Sequence, residues 1–516
     1  MIDTKALRQK ILDLAIRGKL VPQDPDDEPA SVLLERIRQQ KQQMVKEGKL
    51  KPKDIKNDSV IFVGEDNLHY EKFADGSVKC IEDEVPFGLP DGWAWVRLGN
   101  LSAAIQYGLS NSAEPQGTHR LLRITDIQDG KVDWNAVPFT TVNDPEAYLL
   151  KTGDIVFART GATVGKSFLI TETPYPSVYA SYLIRIRLLG SLSPEYIYQF
   201  FDSACYWSQI TDKSVGVGQP NCNGTSLKEL FIPLPPISEQ LRIVPTAQAL
   251  LAYVAKIDAE KKSLLSIIMA TKSKILDLAI RGQLIPQDPN DEPASVLLER
   301  IRAEKEELIK QGKLKRDKKE SVIFRGEDNS YYEKVGDKVE NISDEIPFEL
   351  PDGWAFVRLK ELCELVSGRD LSPSEYNADG DGIPYITGAS NFANGKVSLV
   401  RWTTTPQVIT KTGDLLLTCK GTIGEMALNN FGDAHIARQV MAIRNTFTLN
   451  PEYLALCITA HISAIKNVAK GLIPGISRED ILNLILPVPS PNYQAKIVER
   501  VAEVTNILSV IEKSLS

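Results

Sequence analysis

The sequence predicts an α+β protein in which two similar domains of mixed helix and sheet are separated by long antiparallel heptad helices, an internal duplication with circular, pseudo-twofold organisation. Three observations predict it. A heptad seam occupies the middle of the chain, pieces of that seam recur at both termini, and framework strings repeat at an offset of 264 shrinking to 254 residues.

The seam runs through Ala247, Leu250, Val254, Ile257, Lys261, Leu264, Ile268, Thr271, Ile275 and Leu278, in steps that alternate between three and four. Lys261 and Thr271 are its polar interruptions. Pro245 before it and Gly282 after it are start and stop signals, which predicts a helix over Thr246–Arg281, about 54 Å long. At the C-terminus Ile497, Val501, Val504, Leu508, Ile511 and Leu515 keep the alternation, and residues 11–18 repeat residues 275–282 letter for letter. An apolar stripe needs a partner. The central helix is therefore expected to pair antiparallel with the C-terminal helix, with the N-terminal segment completing the arrangement.

Between the helices the chain says most things twice. PQDPDDEPASVLLERIR returns as PQDPNDEPASVLLERIR, SVIFVGEDNLHYEK as SVIFRGEDNSYYEK, and VPFGLPDGWAWVRL as IPFELPDGWAFVRL. KTGDIVFARTGATVG returns as KTGDLLLTCKGTIG, and FIPLPP, too rich in proline for a central strand, as LILPVPS. The expected organisation is an N-terminal helical segment and insert (1–85), a first globular domain (86–236), the long helix and repeated spacer (237–312), a polar insert (313–345), a second globular domain (346–490) and a C-terminal helix (491–516). Of 41 residues from Ile11 to Lys51, 31 match their copies, whereas the globular domains share only framework strings. The helices therefore present one surface twice, and the domains vary their loops on one scaffold, where recognition is usually placed.

With 43% apolar and 25% charged residues the chain reads as ordinary globular protein able to bury sizeable cores. No run of about 18 apolar residues suggests a membrane span, and charges interrupt the N-terminus too often for a signal peptide. Cysteines 80, 205, 222, 363, 419 and 457 form no CxxC pair, which suggests reduced thiols and a cytoplasmic protein. A net charge of −7 argues against a surface coated in nucleic acid.

Catalytic motifs are not convincing. Gly161-Ala-Thr-Val-Gly-Lys-Ser167 has three residues between its glycines where a phosphate loop needs four, and its copy has Glu425 in place of the lysine. It reads as a turn between strands. Glu260-Lys-Lys262 sits on the heptad helix, and Cys457 with His461 makes only half a metal site. Recognition loops remain. In the first domain they hold Gln106, Tyr107, Asn111, Gln116, His119, Arg120, Arg123, Arg159, Thr160, Lys166, Lys213, Gln219, Asn221 and Asn223. In the second they hold Ser367, Arg369, Asn391, Arg401, Lys420, Thr422, Arg438, Gln439, Lys470 and Arg478. Arg suits guanine and Asn or Gln suits adenine, so these are the side chains of base readout.

The twice-used Leu-Pro-Asp-Gly-Trp (from Leu89 and Leu350), the twice-used Lys-Thr-Gly-Asp (from Lys151 and Lys411) and the PLPP/PVPS exits into heptad helices resemble the specificity subunit of type I restriction-modification enzymes, over essentially the whole chain. The resemblance implies two target recognition domains, each reading half of a split, asymmetric DNA sequence. It implies helices that hold them at a fixed distance and dock methyltransferase subunits, usually two, with a restriction subunit joining the full enzyme. S-adenosylmethionine, ATP and Mg would then belong to the partners, and this chain would hold no cofactor or metal. A stand-alone bipartite nucleic-acid-binding protein and a degenerate nucleotide-binding enzyme are the alternatives. The acidity of the chain and the inserts at 49–85 and 313–345 depart from the family expectation.

Overall fold

The computed structural model describes residues 3–128, 130–213, 222–312, 320–393, 395–447, 449–468 and 475–515. The chain divides into two compact units, residues 1–262 and 263–516.

In the first unit, helix Thr4–Ile16 is capped by Asp3, whose carboxylate accepts from the Ala6 N–H (2.9 Å), and it buries Ile11, Leu12, Ala15 and Ile16. Helix Ala30–Lys46 buries Ala30, Leu33 and Ile37 in the same core as Trp93, Val96, Ile155 and Phe157. Residues 59–80, read from sequence as part of an insert, fold as a three-stranded antiparallel sheet, with the Asp75-Gly76 turn at φ +87° for Gly76. Strand Ala94–Arg97 then pairs antiparallel with Phe231–Leu234, so the first and last strands of the domain close on each other. That two-stranded ribbon is where a proline such as Pro233 is tolerated. The four-stranded sheet has the order Ser167–Leu169, Ile155–Ala158, Leu183–Leu188, Ser102–Tyr107. Beside it, Ser177–Tyr179 runs parallel to His119–Leu122. Gly161–Lys166 is a turn between two strands, as its spacing implied, with Gly161 and Gly165 at φ +73° and +89°.

The second unit repeats this. Residues 321–341 form a three-stranded sheet, Ala355–Arg358 pairs with Ile485–Val488, and the four-stranded sheet has the order Cys363–Ser367, Val440–Asn445, Leu415–Thr418, Met426–Leu428.

The repeated strings are frame parts. Asp154 and Asp414 of Lys-Thr-Gly-Asp cap their own turn, accepting from the N–H of Lys151 and Lys411 (2.8 Å each), and each carboxylate also holds an arginine of the next strand. Those partners are Arg187 (2.6 Å) and Arg444 (2.9 Å). The buried hydroxyls of Tyr196 and Tyr453 donate to the carbonyls of Pro233 and Pro487 (2.6 and 2.9 Å), which seats the proline-rich exits.

The long helix spans Ile237–Ile280 and takes Pro245 into its interior, so it begins before the start signal read from sequence. Burial of Gln240, Ile243 and Ala247 offsets the hydrogen bond that proline cannot donate. Of the seam, one position in each heptad is buried outright: Ala247, Val254, Ile268 and Ile275, with Lys261 half-buried between them. Leu250 and Leu264 stay exposed. In the first unit Ala247 and Val254 pack on Ile11, and the Thr4 hydroxyl donates to Asp258 (3.1 Å), so the first helix lies antiparallel to the long one. In the second unit Ala279 and Ile280 share a core with Tyr493 and Ile497 at the start of helix Pro491–Leu515, while Lys272 pairs with Glu512 near its end (2.5 Å). That pairing is antiparallel too, as the duplicated seam predicts.

Each Leu-Pro-Asp-Gly-Trp string closes on a helix end. A Cβ on Gly18 (φ +64°) would stand 2.6 Å from Pro90 and 3.1 Å from Trp93; on Gly282 (φ +67°) it would stand 2.7 Å from Pro351 and 2.8 Å from Trp354. Gly282→Ala therefore meets both a left-handed backbone and a clash, and should cost about 2–4 kcal/mol in denaturant unfolding; a loss below about 0.5 kcal/mol would contradict the packing.

The Trp93 indole donates to Glu239 (2.8 Å). Burial pushes the Glu239 carboxyl above its ordinary range, against the pull of Trp93 and Arg242. A carboxyl raised in the folded state binds its proton more tightly there, so stability is gained as pH falls through the raised value. Stability of the wild type relative to Glu239→Gln should rise as pH falls from neutral toward the ordinary carboxylate range, in paired thermal melts; a flat or falling difference contradicts the assignment.

Candidate nucleic-acid interface

At one end of the first unit's four-stranded sheet, Tyr107 pairs with Ile184, Ala158 with Leu183 and Phe157 with Ser167. This end brings together Tyr107, Arg159, Thr160, Lys166 and Asn223. The Arg159 guanidinium lies over the Tyr107 ring, 4.8 Å from its centre. The Tyr107 hydroxyl accepts from the Gly224 N–H (2.9 Å), and Asn223 caps the turn that follows by accepting from the Ser226 N–H (2.9 Å). Lys166 is exposed. Tyr182, absent from the sequence-based set, is 65% exposed here, its carbonyl accepting from the Arg159 N–H (3.1 Å). The available signal was an aromatic residue at the turn into a strand whose first four residues are all buried.

Other candidates are committed elsewhere. The Gln106 carbonyl oxygen of its amide accepts from Arg185 (2.7 Å), and Arg123 is chelated by Asp126 (2.6 Å), which raises its already high pKa. Arg120 donates to the Val137 carbonyl (2.6 Å) with its guanidinium over Phe139 (3.9 Å) and Tyr175 (5.0 Å), so it braces the second sheet. Asn111 donates to the Thr141 carbonyl (3.0 Å), His119 contacts Thr118 (2.8 Å), and Gln116, between them in sequence, is exposed. Gln219, Asn221 and the side chain of Lys213 lie outside the described residues.

The second unit builds the same end. Thr418 pairs with Val440 and Ser367 with Met441, which gathers Ser367, Arg369, Lys420, Thr422, Arg438, Gln439 and Arg478. Arg478 donates to the Leu365 carbonyl (2.5 Å) and the Ser367 hydroxyl (3.2 Å), and Arg438 pairs with Asp370 (2.7 Å). Arg401 lies over Tyr376 (5.1 Å). Asn391 corrects the sequence expectation. It is 1% exposed, its oxygen accepts from Thr387 and Gly388, and its amide donates to the Ser398 carbonyl (2.9 Å), so it holds a loop and is buried out of reach of a base. Lys470 lies outside the described residues.

Superposing the frames by strand register gives matched positions with different side chains. Tyr107 corresponds to Ser367, Arg159 to Cys419, Lys166 to Glu425, Tyr182 to Gln439 and Gly224 to Arg478. The contact between the first and last of these survives with the sizes reversed, tyrosine to glycine in one unit and serine to arginine in the other. No cluster of three or more His, Cys, Asp or Glu side chains suited to a metal occurs among the described residues. His461 turns its Nδ1 to the Cys457 carbonyl (3.3 Å), and burial pushes the Cys457 thiol up to about 12, which disfavours the thiolate a metal would need.

The family model for the type I restriction modification DNA specificity domain matches residues 90–267 and 351–516. The chain belongs to this family. The specificity subunit of the type I restriction enzyme EcoEI of Escherichia coli is 26% identical, over 99% of this chain and 90% of its own length. The EcoAI specificity subunit of Escherichia coli is 29% identical over 70% of this chain and 63% of its own length. A chain from a solved structure describing complex assembly and conformational transition of the type I R-M system shares the fold, with a TM-score of 0.54 at 20% identity over 83% of this chain and 94% of that one. Both copies of the specificity domain thus contain the sheet end just described.

Within this specificity domain the geometry separates side chains left at the sheet end, such as Arg159, from those committed to bracing, such as Arg120. Arg120→Ala should destabilise the first unit by about 1–3 kcal/mol, from its lost ring and carbonyl contacts. Arg159→Ala should cost less stability, about 0.5–1 kcal/mol from its one ring contact, and weaken DNA binding by about 1–3 kcal/mol. Thermal melts beside binding isotherms check this; the reverse assignment of effects would contradict it.

Proposed function

We propose that this chain is the DNA sequence-specificity subunit of a type I restriction-modification enzyme. Residues 86–236 and 346–490 are the two target recognition domains, and they read the two halves of a split, asymmetric DNA target. The duplicated helical parts scaffold methyltransferase subunits, two in number, and the restriction subunit joins them in the cytoplasm. The chain itself is not a catalyst. S-adenosylmethionine, ATP and Mg are handled by the partners, and the methyltransferase takes the target base out of the duplex into its own site.

The observation that carries this reading is the pair of matched sheet ends. One backbone presents tyrosine, arginine and lysine in the first domain and serine, glutamine and a differently placed arginine in the second. Different donors and acceptors at one geometry are what two different half-sites require. The frame that repeats residue for residue lies behind them, in the Lys-Thr-Gly-Asp turns and the proline exits.

Co-expression with a type I methyltransferase subunit, followed by single-base methylation mapping, tests it. The expected result is one split motif with a modified base in each half. A stable complex that methylates no split motif would overturn the two-domain readout.

A further inference from the structure

The three-stranded sheets at Ser59–Cys80 and Ser321–Asn341 have one face with no role in the frame or the reading ends. The inner face is packed. Ile61 joins Ile81, Trp95 and Phe231, and buried Glu71 holds Arg97 (2.7 Å). Strand alternation places Val60, Phe62, Tyr70, Lys72 and Val78 on the other face, where Val60 opposes Lys72, Phe62 opposes Tyr70 and Lys72 opposes Val78. Phe62 is 41% and Val78 52% exposed.

The second sheet reproduces this face: Val322 opposes Lys334, Phe324 opposes Tyr332 and Lys334 opposes Val339, with Phe324 41% and Val339 50% exposed. The ring packing is the same, at 5.9 Å and 26° between Phe62 and Tyr70 and 5.8 Å and 24° between Phe324 and Tyr332. Each tyrosine hydroxyl is pinned by a turn aspartate, Asp66 (2.7 Å) or Asp328 (2.9 Å). Packing alone would preserve the inner face and let the outer one drift. Here inner His69 and Phe73 have become Tyr331 and Val335, while the five outer residues are unchanged and only Cys80, at the strand end, differs as Asn341. Exposed apolar side chains kept together at one geometry mark an interaction surface.

We propose that this sheet face, in both units, docks one protein partner bound twice, through a partner surface that is apolar around one acid facing Lys72 or Lys334 and basic at its rim. The rim chemistry follows from the exposed acids of the flanking turns, Glu65, Asp66 and Asp75 in one copy and Glu327, Asp328 and Asp337 in the other. They repel DNA phosphates and complement a basic protein. Repetition of the face sets the number of partners at two. The proposal rests on the scaffolding reading above, and its partner is the methyltransferase subunit.

The test is the mass of the co-purified complex in sedimentation equilibrium for wild type, Phe62→Glu, Phe324→Glu and the double variant. The expected series is two methyltransferase copies, one, one and none, with melting temperatures unchanged because both side chains face solvent. Should a glutamate variant fail to fold, Val78→Lys with Val339→Lys on the third strand must give the same loss. A folded double variant that still carries two copies overturns this surface and leaves the scaffolding reading standing. A wild type that carries none overturns the scaffolding reading, and this surface with it. A chain that dimerises alone through this face, and loses the dimer in the double variant, assigns it to a second copy of itself and overturns the proposal.

Discussion

A glycine at the end of a helix, seated against the proline and tryptophan of Leu-Pro-Asp-Gly-Trp, is the constraint on which each unit depends. Gly18 ends the first helix in the left-handed region, and its missing side chain is the space that Pro90 and Trp93 occupy. The same string reaches two further helices. The Gly92 carbonyl accepts from the Ala30 N–H (2.8 Å) at the start of the second helix, and the Trp93 indole donates to Glu239 in the first turns of the long one. Three helices and the first strand of the globular domain thus meet at five residues. The second unit repeats the joint with Gly282, Pro351 and Trp354, and the Gly353 carbonyl accepts from Ala294 (2.8 Å). There Trp354 packs edge-on against Tyr493 where the first unit has the Glu239 carboxylate. Arg17 and Arg281, each paired with the aspartate one turn earlier and lying over Phe87 or Phe348, close the rim.

Because the joint, the capped Lys-Thr-Gly-Asp turns and the proline exits carry the backbone, the sheet ends are free to differ. The coupled pair at the sheet end illustrates this. Where the first unit has a tyrosine, the opposing position is glycine and receives its hydroxyl; where the second has a serine, the opposing position is arginine and supplies the guanidinium. The contact is kept while the larger side chain at the sheet end changes from a phenol to a guanidinium. A scaffold of this kind alters specificity at the cost of a few side chains, without new folding.

The duplication, the heptads and the joint strings were legible because each is a local pattern with its own physics: a period, a helix-stopping glycine, a turn-capping aspartate. Pro245 was misread as a start because its neighbours Ile243 and Ala247 are buried, and tertiary packing outweighs one missing hydrogen bond. The inserts read as polar because their strands alternate, and alternation does not say that the outer face would stay apolar. Among the candidate residues, type alone could not separate Arg159, which lies at the sheet end, from Arg120, which braces Phe139, or show that Asn391 is buried in its own loop. Those distinctions depend on strand register across residues far apart in sequence. Tyr182 was missed for the converse reason, since an aromatic side chain reads as core until the turn that exposes it is known.

One frame that carries two independent reading ends is the central claim, and a chimaera tests it most directly. Residues 346–490 are replaced by a second copy of residues 86–236, between the same helices, and the methylation motif of the reconstituted enzyme is mapped at single-base resolution. The account predicts that the half-site read by the first domain occupies both halves and that the other half-site disappears. Persistence of the original second half-site would contradict it, because its reader would then lie outside the exchanged domain.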